Sequence, residues 1–84
     1  MDTTKTGGYL AALRKDAGMT QQEAADRLGV SNKAISKWES GGGFPDIAIL
    51  PALAELYGVT ADDILAGETV RQSTGGRQVE QYLA

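Results

Sequence analysis

The stretch "QQEAADRLGVSNKAISKWES", residues 21–40, decides the fold. Its apolar residues are Ala24, Leu28, Val30, Ile35 and Trp38, with the small Ala25 beside them. Ile35 and Trp38 are three apart, so on a helix they share one face. Asn32, Lys33, Ser36 and Lys37 fall on the opposite face, paired at i,i+4 as Asn32 with Ser36 and Lys33 with Lys37. Gly29 stands at the one place where an eight-residue helix must stop and another begin. The stretch therefore predicts two short helices joined by a tight turn. The second has one apolar face and one face of hydrogen-bonding and cationic side chains. Ala25 is small where two steeply crossing helices nearly touch.

The same punctuation recurs outward from this unit. Gly18-Met19-Thr20, Gly29-Val30-Ser31 and Gly58-Val59-Thr60 all read glycine, apolar, hydroxyl. Glycine takes the left-handed conformation that ends a helix. The apolar residue tucks under that end, and Ser or Thr accepts from the first free N–H groups of the next helix. Thr20 with Glu23 forms a capping-box pattern, and Thr60 with Asp63 resembles one. The expectation is an all-α fold of five helices, at about residues 8–17, 21–28, 32–40, 47–57 and 61–66. Gly7 and Gly8 make a weak start to the first helix. Asp46 is expected to cap the fourth, with Pro51 in its second turn. Gly67 stops the fifth. "GGGFP" at 41–45 is a loop. Tyr9, Leu10, Leu13, Met19, Leu28, Val30, Ile35, Trp38, Phe44, Ile47, Leu50, Leu53, Tyr57, Val59, Ile64 and Leu65 supply one core.

Composition narrows the function. The 84 residues include neither cysteine nor histidine, which excludes disulfide frameworks, zinc sites built on those ligands and histidine-based catalysis. No metal or cofactor is expected. "MDTTKTGG" carries no apolar signal region, and the longest apolar stretch, "IAILPALA", is too short to span a bilayer, so no membrane role is expected and a cytoplasmic location fits. The formal net charge is −3, but it is unevenly spread. Residues 1–39 carry six basic and five acidic side chains, whereas residues 40–84 carry two basic and six acidic. From Arg27 to Lys37 there are three cations and no acid. That local balance suits phosphate even though the total does not.

Over residues 7–67 the chain resembles the Cro and lambda-repressor-like helix-turn-helix DNA-binding domains, the XRE-type regulators. "LRKDAGMTQQEAADRLGVSNKAISKWESG" and "FPDIAILPALAELYGVTADDIL" carry the resemblance. It implies a five-helix domain whose third helix lies in the DNA major groove. By position, Gln21 matches a residue that holds a phosphate. Asn32, Lys33, Ser36 and Lys37 match residues that reach base edges or flanking phosphates. Arg14 and Glu39 match an ion pair tying the first helix to the end of the third. Gly41-Gly42-Gly43 is richer in glycine than that pattern, and no arginine stands on the reading face, so guanine would have to be read by lysine.

Plainer readings compete. Trp38 could stack on a base, but its step with Ile35 assigns it to the core. Lysines usually form a solvated face; at positions 33 and 37 of this motif DNA contact is the better reading. Gly41–Gly43 lacks the GK[ST] ending of a phosphate loop. Asp62 and Asp63 at a helix start need no catalytic role, and nothing pairs a nucleophile with a base, so no enzyme is expected. The reading is a helix-turn-helix domain at 7–67 that binds double-stranded DNA, regulates transcription as a repressor and pairs as a homodimer. The alternative is a protein-interaction module that keeps the fold without binding DNA. Residues 68–84 form a short C-terminal tail or linker. Its "STGGR" reads as a link, and Val79, Tyr82 and Leu83 could serve dimerisation.

Overall fold

Every helix among the described residues of the computed structural model ends on the same device. The structure describes residues 2–70, with helices α1 (Thr3–Asp16), α2 (Gln21–Leu28), α3 (Asn32–Glu39), α4 (Leu50–Tyr57) and α5 (Ala61–Ala66). Gly18, Gly29, Gly41, Gly58 and Gly67 follow them, each with positive φ. The N–H of the next residue then reaches back to the last turn, as in Met19 to the Arg14 carbonyl at 3.1 Å and Val30 to the Ala25 carbonyl at 3.0 Å. Carbonyls left over at a helix end are thus satisfied. Four of these five helices also start on a side-chain cap. Thr20 with Glu23 and Thr60 with Asp63 form complete capping boxes, and Ser31 accepts from the Ala34 N–H.

Two helix starts differ from expectation. α1 begins at Thr3, capped by Asp2, whose Oδ1 accepts from the N–H groups of Thr4 and Lys5. The folded unit therefore takes in residues before position 7, and Gly7 and Gly8 lie inside the helix. α4 begins at Leu50 rather than near Ile47, and no side chain caps it. Asp46 contributes its backbone carbonyl, which accepts from the Ile49 N–H at 2.9 Å. The later start puts Pro51 in the first turn, where its missing N–H costs nothing. Ile47, expected in the core, is left in the preceding turn at 84% exposure.

The core has two connected parts. Leu10, Leu50, Leu53 and Ile64 form one, and Ala24, Ala25 and Ile35 form the other. Leu28 and Trp38 pack against both and join them. α1 packs on α3 and α5, α2 on α3 and α4, and α4 on α5. α1 approaches its neighbours at backbone distance. A Cβ on Gly7 would collide with the Trp38 carbonyl oxygen and stand 2.8 Å from that of Glu39. Buried Thr6 donates its hydroxyl to the Ile64 carbonyl at 2.9 Å, helping to close the end of α5. Asp63 fastens the chain beyond α5, accepting from the Val70 N–H at 2.8 Å. Glu68, Thr69 and Val70 thus belong to the folded unit. The expected link at 73–77 and the Val79, Tyr82 and Leu83 segment lie outside the described residues.

Candidate nucleic-acid interface

The α2–turn–α3 unit turns its small residues inward. Ala24 and Ala25 are fully buried and Ile35 nearly so. Burying Ile35 fixes the rotation of α3 about its axis. Asn32, Lys33, Ser36 and Lys37 are consequently all exposed, together on the outer face. Trp38 is half-buried against both parts of the core.

The acid that ends α3 is neutralised on its inner side. Arg14 grips Glu39 through two bonds, Nε to Oε2 at 2.7 Å and Nη2 to Oε1 at 3.0 Å. The side chains are 12% and 8% exposed. Arg14 Nη1 also donates to the Met19 carbonyl at 2.8 Å, fixing the α1–α2 turn. The hydrogen bond to Glu39 outweighs the cost of burial and holds the Arg14 guanidinium above its ordinary, already high pKa. With Glu39 turned inward and paired, Lys33 and Lys37 set the sign of the outer face.

Gln21 joins this network. Its Nε2 donates to Glu39 Oε1 at 3.0 Å. A side-chain amide nitrogen carries two N–H groups, so this bond leaves one for an external acceptor. The bond connects the start of α2 to the end of α3. The structure thus brings Arg14, Gln21 and Glu39 together on the inside of the unit, and holds Asn32, Lys33, Ser36 and Lys37 outside it. Among the described residues no group of His, Cys, Asp and Glu could hold a metal, and no helix is long and apolar enough to cross a membrane.

A family model described as helix-turn-helix matches residues 10–64. The chain belongs to the helix-turn-helix family. This helix-turn-helix chain is 44% identical over 59 residues to the HTH-type transcriptional activator BcrR of Enterococcus faecalis, covering 70% of the chain and 29% of that protein. It is 38% identical over 64 residues to the HTH-type transcriptional regulator ImmR of Bacillus subtilis, covering 76% and 50%. It is 34% identical over 55 residues to the cryptic phage CTXphi transcriptional repressor RstR of Vibrio cholerae, covering 66% and 49%. The chain thus spans half or less of these relatives, and they include both a named activator and a named repressor. Among solved structures, the clp gene regulator ClgR from Corynebacterium glutamicum aligns with a TM-score of 0.67 at 25% identity over 80% of this chain and 87% of that one.

Proposed function

We propose that this helix-turn-helix domain binds double-stranded DNA sequence-specifically, with α3 in the major groove, and regulates transcription. The observation that carries the reading is the outer face of α3. It is exposed, holds Asn32, Lys33, Ser36 and Lys37, and has no acid, because Glu39 is paired inside. Asn32 can pair with adenine, lysine can reach guanine O6 and N7, and Ser36 serves either. Gln21, with its remaining N–H at the start of α2, holds a phosphate. One recognition helix covers few base pairs, so two copies about 34 Å apart supply the affinity a genome requires. Repression is the simpler mode, since a domain seated on a promoter obstructs polymerase with no further surface. The DNA-binding unit is the 7–67 region, extended by the first turn of α1. Acting on DNA, the protein works in the cytoplasm.

The net charge of −3 favours a second reading, a protein-interaction module that kept the fold. Salt separates the two. A duplex selected from a random pool should be bound by two chains, with affinity falling steeply as log salt rises. Asn32→Ala should cost about 1–3 kcal/mol on that duplex and little on a shuffled one. If no duplex is selected, the interaction module stands. If Asn32→Ala binds the selected duplex as tightly as the unaltered chain, Asn32 reads no base.

A further inference from the structure

An exposed lysine ordinarily leaves its long stem free to sample many rotamers. Lys37 has a different setting. Gly41, with φ of 81°, reverses the chain after α3. The Gly42 N–H then donates to the Lys37 carbonyl at 2.9 Å, and the Ser40 hydroxyl donates to the same oxygen at 3.0 Å. The loop is thereby folded back onto Lys37 itself. A Cβ on Gly42 would stand 3.3 Å from Lys37 Cγ. One on Gly43 would stand 2.9 Å from Cε and 3.6 Å from Nζ. The stem therefore runs along the two glycines and delivers its ammonium beside Gly43. Neither glycine has the left-handed backbone that would call for one. What their missing side chains supply is the space that Lys37 fills.

We propose that Gly42 and Gly43 are positioning residues that lay Lys37 along the α3–α4 loop and commit its ammonium to a DNA phosphate, leaving base edges to Asn32, Lys33 and Ser36. The inference rests on the DNA-binding reading above. In helix-turn-helix docking the first residues of the recognition helix reach the bases. Lys37 stands in the last turn of α3, and the glycines carry its head onto the loop that follows. Lys33, in the first turn, can reach a base edge, whereas the ammonium of Lys37, a compact point charge carried past the end of the helix, meets the phosphate backbone.

Gly43→Ala isolates the effect. The three atoms nearest its Cβ all belong to the flexible end of Lys37, which can move aside, so the fold and its melting temperature should stay as they are. Binding is measured across a salt series on the pool-selected duplex and on a shuffled duplex, for Gly43→Ala, Lys37→Ala and both together. Gly43→Ala should flatten the slope of log affinity against log salt by about 0.9, the value of one phosphate contact. Its affinity loss should be alike on the two duplexes. Lys37→Ala should do the same, and adding Gly43→Ala to it should change nothing further. The proposal is overturned by an unaltered slope in Gly43→Ala, by an equal loss from Gly43→Ala when Lys37 is already alanine, or by a Lys37→Ala loss confined to one base-pair position. If the unaltered chain shows no salt-dependent binding to either duplex, the DNA-binding reading itself falls, and this assignment with it.

Discussion

Gly7 and Gly8 are neighbours in α1 with opposite surroundings. Gly7 faces the carbonyls of Trp38 and Glu39, while a Cβ on Gly8 would meet nothing within 4 Å. Gly7→Ala should therefore destabilise the domain by about 1–3 kcal/mol, as overpacking does. Gly8→Ala should stabilise it by about 0.5–1 kcal/mol, since an exposed glycine within a helix only adds entropy to the unfolded chain. Urea denaturation of the two variants checks both signs; equal effects would mean that α1 does not touch α3 at Gly7. By propensity alone the two glycines look identical, so sequence reading makes them a weak helix start. Only the crossing of α1 over α3 tells them apart. Gln21 was half legible in the same way. Its place at a helix start is local information, whereas its bond to Glu39 depends on a residue 18 positions away.

At the scale of elements, the network around Glu39 ties together α1, the start of α2 and the end of α3. Removing one partner of so enclosed a pair strands a charge, at a cost of about 3 kcal/mol. Arg14→Met and Glu39→Leu should each destabilise by that order, and the double variant by less than their sum. A double-mutant cycle on urea denaturation measures the coupling; strict additivity would mean two independent charges. The helices themselves were largely readable from the chain. α2 and α5 occupy their expected ranges because glycine, a hydroxyl cap and a carboxylate three residues later form a strictly local code. The start of α4 was misread because Asp46 looks like a cap and Ile47 like core. Proline decides otherwise, since a helix opening at Leu50 has no use for the N–H that Pro51 lacks. α3 too stops where the glycine run was expected to stop it, although that run lacks the apolar and hydroxyl residues that follow Gly18, Gly29 and Gly58.

For the whole molecule, Tyr57 couples packing to pH. It ends α4, half-buried against the part of the core around Leu53. Burial pushes its phenol pKa up, the negative charge of Glu39 adds to this, and Arg14 partly opposes it. Below the ordinary tyrosine value of about 10 the phenol is neutral in both folded and unfolded chains. As pH rises past that value toward the higher folded-state one, the unfolded chain ionises first, and stability falls. Tyr57→Phe should soften this alkaline loss, as read by urea denaturation between about pH 9 and pH 11. An unaltered alkaline limb would show that the loss arises elsewhere. The closure of the molecule by α1 and α5 has another consequence. Lys5 pairs with Glu68 at 3.4 Å, Thr6 bonds Ile64, and the Tyr9 and Thr69 hydroxyl oxygens lie 3.2 Å apart. The first turns of α1 and the segment that follows α5 are therefore side by side. Probes attached by short tethers at Lys5 and Glu68 would be held at high effective concentration with respect to each other, so the fold works as a clasp between the first turn of α1 and the segment after α5.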